Sequence, residues 1–313
     1  MVSTVIETKG LTKRYGDVVA VNDLSFSVES GGVFGLLGPN GSGKTTTMGM
    51  LLGLARPTSG AMRLFGQDTQ DSHRQALHRI GAIVETPAFY PYLSGRDNLR
   101  YFQGIMRKGS PAEIDHLLKL VDLSGRAGSK FSTYSLGMKQ RLGIAYALLG
   151  DPELVFLDEP TNGLDPAGMA EVRDLIRDLG TGDRTVLLSS HLLNEVEQVC
   201  DRVTILSKGR LIANGRVQDL LRQRSMVRLK TTDDERAAAI LAALEWVGGV
   251  ERENGYLMVP SEPERTWELT STLAAEQIYV SELTPVHVSL EQYFLEITGE
   301  PAPVEAPSTE AQA

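Results

Sequence analysis

A chain of 313 residues, 42% hydrophobic and 23% charged, has room for one domain of ordinary size and a smaller second one, each with a buried core. Its net charge of −9 argues against a non-specific nucleic-acid binder, which needs a basic surface to displace the counterions of phosphate. Cys200 is the only cysteine, which excludes an intrachain disulfide or a cysteine-built zinc site and suits a reducing cytoplasm. The stretch from Met1 to Glu7 lacks a basic region followed by an apolar one, so no secretory signal is expected. Apolar runs such as Leu51 to Ala55 fall far short of the roughly 18–20 residues that span a bilayer.

Residues near 4–30 alternate apolar and polar positions, with Leu24, Phe26 and Val28 on one face, and read as β-strands. Val33 to Leu37 is a short, continuously apolar run, as a strand buried on both faces requires. A glycine-rich loop follows, and Lys44 to Leu54 reads as a helix. Residues 86–150 read as a helix-rich insertion, with helices at 95–107, 111–120 and 136–149 punctuated by Pro87, Pro91, Gly95 and Gly125. Strand character returns at Leu154–Leu157, Thr185–Leu188 and Val203–Leu206, with helices at 167–179 and 191–199 between them. Strands alternating with helices imply a largely parallel sheet covered by helices, an α/β core.

After residue 222 the pattern begins again: strand Met226–Leu229, helix 233–246, a hairpin at 249–259 turning at Asn254-Gly255, helix 263–276, strand Ile278–Val280 and helix 289–297. Asn-Gly between apolar runs is a strong two-residue turn signal, and the order predicts a small C-terminal α/β domain of ferredoxin-like type over 222–298. Residues 299–313 are rich in Pro, Ala, Glu and Ser and are expected to be disordered.

The loop Gly38, Pro39, Asn40, Gly41, Ser42, Gly43, Lys44, Thr45 is a phosphate loop in its required setting, strand before and helix after. Its glycines let backbone N–H groups wrap phosphate oxygens, and the helix adds its positive N-terminus. Lys44 is expected at the β- and γ-phosphates of ATP, and the Thr45 hydroxyl on Mg²⁺. The strand Leu154–Leu157 ends in Asp158 and Glu159. Asp158 is placed to hold Mg²⁺ through oxygen, and Glu159 to act as general base on the attacking water. Tyr15 could stack on adenine or pack at a hairpin edge. Ser135 can cap the helix that starts at Leu136, and Gly137 allows close backbone approach. Asn162 to Pro166, read alone, is a turn, with Pro166 suited to a first helical turn.

Tyr15, the phosphate loop, Tyr134-Ser135-Leu136-Gly137-Met138-Lys139-Gln140-Arg141, Asp158-Glu159, Asn162 to Pro166 and His191 follow one another in the order of the ABC transporter ATPases. Over residues 4 to about 220 the chain resembles that family. The resemblance implies a P-loop NTPase core over 1–220 carrying a helical subdomain at 86–150. It also implies nucleotide binding by Tyr15 and by Gly38 through Lys44, Thr45 and Thr46. In such proteins two chains sandwich two ATP molecules, so Ser135, Leu136, Gly137 and Met138 would act on the partner's nucleotide, with Asp165 in the connecting loop. His191 would contact the γ-phosphate and orient Glu159. Glu85 stands where the family commonly has a metal-linked Gln, and Leu136 and Met138 replace a Gly and a Gln of the commonest signature. That wording, with Glu85 to Gly95, resembles ATPases of bacterial ABC-2-type exporters of bacitracin, lantibiotics and drugs. The implied assembly is a homodimer, or a pairing with a similar ATPase subunit, on separate membrane permease subunits at the cytoplasmic face, without nucleic acid. A soluble ABC ATPase acting on nucleic acid or ribosomes is the alternative, disfavoured by a single phosphate loop and the acidic balance.

Overall fold

The computed structural model describes residues 3–85, 88–107, 109–222, 225–261, 263–286 and 289–298. The helical-region positions Thr86 and Pro87 and the expected tail 299–313 lie outside them. The chain divides into two compact units, Met1–Arg216 and a second from Val217 onward.

The first unit opens with a hairpin, β1 (Thr4–Tyr15) and β2 (Val18–Glu29), paired antiparallel from Thr4↔Glu29 to Tyr15↔Val18. After β3 (Gly32–Leu37) and α1 (Lys44–Leu51) come β4 (Ser59–Leu64), β5 (Gln67–Asp68), α2 (Thr69–Leu77) and β6 (Ile80–Ile83). The helical region contains α3 (Gly95–Met106), α4 (Pro111–Leu120) and α5 (Leu136–Ala147). The chain then runs through β7 (Leu154–Asp158), α6 (Pro166–Leu179), β8 (Thr185–Ser190), α7 (Leu193–Glu197), β9 (Arg202–Ser207) and β10 (Arg210–Arg216).

Two sheets result. One has strand order β2-β1-β4-β5; the other, order β10-β9-β3-β8-β7-β6, is parallel from β9 to β6 with β10 antiparallel at its edge. Ile6, Leu11, Leu24, Leu36, Met48, Leu64 and Phe156, none more than 1% exposed, share the core that joins the two sheets. β3 and β8 are buried on both faces, which explains their unbroken apolar runs. Sequence reading leaves out β4, β5, α2, β6 and β10. In β4 only Met62 and Leu64 are buried, so the apolar signal is two residues long.

In the helical region Asn98 is fully buried. Its side chain accepts from the Tyr90 N–H (2.9 Å) and donates to the carbonyls of Tyr90 and Ser94 (both 3.0 Å), tying the segment before α3 to that helix. Phe89 packs edge-on against Phe102, Phe131 and Tyr146, with ring centroids 5.2–5.9 Å apart, the geometry aromatic quadrupoles favour.

The second unit contains α8 (Val217–Arg222), β11 (Met226–Thr231), α9 (Asp234–Ala242), β12 (Glu251–Glu253), β13 (Tyr256–Pro260), α10 (Thr266–Ala275), β14 (Val280–Val286) and α11 (Leu290–Thr298). Its antiparallel sheet has order β12-β13-β11-β14. With helices α9 and α10 in the crossovers this is the ferredoxin-like βαββαβ arrangement. Asn254 and Gly255 turn the hairpin with φ of 49° and 80°, the left-handed pair a type I′ turn requires. β14 starts two residues later than the apolar run suggests, because Gln277 turns at φ 58° and Ile278 is buried in the core before the strand begins. As an edge strand it tolerates Pro285.

Two outcomes follow from this packing. Phe156→Ala in β7 should lower the unfolding free energy of the first unit by about 3–5 kcal/mol, read from a denaturant midpoint. Burial pushes the Cys200 thiol well above its ordinary pKa, with the Asp201 charge adding to the effect. Cys200 should therefore resist thiol reagents at pH 7–8 in the folded protein and react once it is denatured.

Candidate functional site: a nucleotide cleft at the ends of three parallel strands

β3, β8 and β7 lie side by side and parallel, so their C-terminal ends emerge at one edge. β3 delivers Gly38 at φ 146°, where a side chain would strike the Leu206 carbonyl. Gly43, at φ 103°, caps α1, and a Cβ there would meet the Ala20 carbonyl at 2.6 Å. Both positions demand glycine, because a left-handed backbone and a crowded wall exclude any Cβ. The loop thus lies flat against β2 and β9 and opens at the N-terminus of α1, where unpaired N–H groups and the helix dipole favour an anion.

Lys44, 5% exposed, donates from Nζ to the carbonyls of Gly38 (2.7 Å) and Pro39 (3.3 Å) and pairs with Glu159 Oε1 at 3.3 Å. The Thr45 hydroxyl donates to Asp158 Oδ1 at 3.3 Å. Glu159 has φ 47°, so β7 breaks sharply after Asp158 and the two acids part company. Asp158 stays buried beside Thr45, and Glu159 turns to Lys44 and His191. His191 Nδ1 lies 2.8 Å from Glu159 Oε2, and the His191 backbone N–H donates to the same oxygen at 3.4 Å. His191 precedes α7, which is only five residues long; the helix expected over 191–199 begins after the histidine and leaves its ring facing the acid.

Lys44, Thr45, Glu159 and His191 border a cleft of about 510 Å³ lined also by Asn40, Gly41, Gly43, Thr46 and Asn162, with Val18, Val19 and Ala20 on one wall. Asp158 is buried outside the lining and reaches it through Thr45. That volume suits a nucleotide-sized ligand. Pro39 is exposed, and its carbonyl accepts from the Ser42 N–H at 3.1 Å; Ser42 is 2% exposed and its hydroxyl is buried without a partner.

Other predicted residues stand apart from this cleft. Tyr15 is 52% exposed at the end of β1 with the Lys13 ammonium 4.7 Å from its ring centroid, and does not line the cleft. Glu85 is exposed in a left-handed turn after β6, also outside the lining. Ser135 caps α5 by accepting from the Met138 N–H (3.2 Å), and Leu136 is 45% exposed. The Cβ position of Gly137 is open, its nearest neighbour being Leu164 at 3.9 Å. Asp165 caps α6, accepting from the Gly168 N–H at 3.0 Å. Sequence reading passed over Val18 to Ala20 as a wall, Asn162 as a lining residue, and Ser189, whose hydroxyl contacts both acids. Their signal is weak, because each depends on which strands are neighbours.

A β-strand, a glycine loop closing on a helix, and paired acids at the end of a strand two places away in the same parallel sheet define a P-loop ATPase. A family model described as ABC transporter matches residues 21–162. An uncharacterized ABC transporter ATP-binding protein, YhcH of Bacillus subtilis, is 42% identical over 95% of this chain and 97% of its own. The bacitracin transport ATP-binding protein BcrA of Bacillus licheniformis is 40% identical over 95% and 98%. A solved ATP-binding subunit of an ABC transporter superposes with a TM-score of 0.62 at 33% identity, covering 70% of this chain and 92% of that one. The chain belongs to the ATP-binding proteins of the ABC transporter family and is an ATPase.

Lys44→Ala should weaken nucleotide binding at least about tenfold, read by calorimetry, because a charge-assisted contact is lost. Glu159→Gln should retain nucleotide binding while turnover falls by about two to four orders of magnitude.

Proposed function

We propose that the chain is the energising subunit of a membrane exporter, working as a homodimer at the cytoplasmic face on separate permease subunits. The observation that carries this reading is the placement of Ser135 to Met138. They form an exposed helix start with open space over Gly137, yet none of them lines the cleft of their own chain. A second chain, docked head to tail, supplies the counterpart for each cleft. A role in transport is supported by the likeness to the bacitracin transport protein over nearly the full length of both chains. Export is supported by the likeness to a Nod factor export ATP-binding protein of Burkholderia orbicola, 42% identical over 67% of this chain and 70% of its own. Among the described residues no helix is long and apolar enough to cross a membrane, in keeping with a motor that acts on a separate membrane protein. A groove of about 250 Å³ between β6, α3 and α5, lined by Ile83, Val84, Phe89, Phe102 and Tyr146, offers that protein an apolar grip. The second unit, from Val217, serves as an accessory domain.

In the hydrolytic step Glu159 accepts a proton from water as the water attacks the γ-phosphorus, ADP leaves, and inorganic phosphate forms. His191 holds the Glu159 carboxylate in place through Oε2, and Lys44 meets the phosphate charge. Thr45 and Asp158 fit Mg²⁺, for both present oxygen and lie together at the mouth of the loop. Among the described residues no three His, Cys, Asp or Glu side chains cluster as a metal cage. Mg²⁺, when bound, neutralises phosphate charge.

The Glu159→Gln chain with ATP and Mg²⁺ should elute as a dimer in size exclusion with light scattering and as a monomer without nucleotide. A monomer under both conditions would remove the head-to-tail reading.

A further inference from the structure

We propose that Ser189 is a positioning residue for ATP hydrolysis, its single hydroxyl setting the orientation of both Asp158 and Glu159. The inference rests on the reading of those two acids given above. Ser189 is 0% exposed at the end of β8. The parallel register pairs it with Asp158 of β7, so its side chain meets the acidic end of that strand. Its Oγ donates to Asp158 Oδ1 and accepts from the Glu159 N–H at 2.9 Å. The Ser189 carbonyl accepts from the same N–H at 3.2 Å.

A hydroxyl has one proton to give and lone pairs to receive with, and here both capacities are used on consecutive residues. The donated bond acts on Asp158. Oδ1 already receives the Thr45 hydroxyl, and two donors on one oxygen fix the carboxylate's rotation and therefore the place of its second oxygen. The accepted bond acts on Glu159. Its φ of 47° is a left-handed conformation that a residue with a Cβ adopts only when the surroundings hold it there. Its N–H is anchored twice by Ser189, and that anchor aims the side chain at His191 and Lys44. A water could not substitute readily, since the residue has no exposed surface. Alanine would leave Asp158 one donor short and the Glu159 turn with a single anchor.

A buried serine that merely satisfies its own hydroxyl would show the same two bonds, so the test must separate positioning from packing. Thr and Val have nearly the same shape and differ in the hydroxyl. Four variants, Ser189→Ala, Ser189→Thr, Ser189→Val and the control Glu159→Gln, are compared with the unaltered chain in ATP turnover against Mg²⁺ concentration. Amide hydrogen exchange across residues 157–161 of the nucleotide-free protein is followed in parallel. We expect Ser189→Ala and Ser189→Val to lose about 10–100-fold in kcat, the range seen when a group orienting a ligand residue is removed. Their half-saturating Mg²⁺ should rise and their Glu159 amide should exchange faster, whereas Ser189→Thr restores all three.

Unaltered kcat and Mg²⁺ dependence in Ser189→Ala would overturn the inference. So would Thr and Val variants that behave alike, and this pair decides if the alanine variant does not fold. Retained turnover in Glu159→Gln would instead remove the assignment of the base, and the inference with it.

Discussion

The parallel adjacency of β3, β8 and β7 is the constraint on which the rest of the molecule depends. Parallel strands release their loops at the same edge of the sheet, so the phosphate loop, the Asp158-Glu159 turn and His191 meet although they are far apart in the chain. The order β9-β3-β8-β7 places strands that are buried along nearly their whole length side by side, as a parallel sheet covered on both sides requires. The register then decides the contacts. Asp158 opposite Ser189 is what lets one hydroxyl reach two acids, and a shift of one residue would turn the side chains to the other face.

Backbone conformation carries the second layer of the site. Gly38, Gly43 and Glu159 all have positive φ, but for different reasons. The two glycines bring the loop against the Leu206 and Ala20 carbonyls, where no side chain fits. Glu159 keeps its side chain and accepts the strained turn, which brings it to Lys44 and His191. Adjacent acids on a straight strand would point to opposite faces. The turn is what allows one to face the loop threonine while the other joins the histidine.

The helical region is organised by different means. A buried amide, Asn98, pins the segment around Tyr90 to Ser94, and edge-on aromatic contacts join Phe89 to Phe102 of α3 and Tyr146 of α5. Its signature helix starts with a capped, accessible turn. The second unit has its own core around Val227, Leu229, Leu241, Leu257 and Leu269, built by the same alternation of buried and exposed residues that marks its strands.

Much of this was legible in the amino-acid order. The glycine loop, the apolar strand ending in two acids, and the βαββαβ pattern of the second unit are local: propensity, periodicity and turn chemistry act within ten residues or so. Hence Lys44, Thr45, Asp158, Glu159 and His191 could be named, and the structure brings them together. The short strands β4 and β5 were not legible, since their exposed positions leave too few apolar residues to show a period, and β6, four residues long, is too short to show one. Nor were the wall at Val18 to Ala20 and the double role of Ser189, nor the outlying positions of Tyr15 and Glu85. The sequence by itself determined which groups of the ATPase site are present and in what order. Only the tertiary structure decided which of them touch, because strand order and register are set by long-range packing that no local stretch of residues encodes.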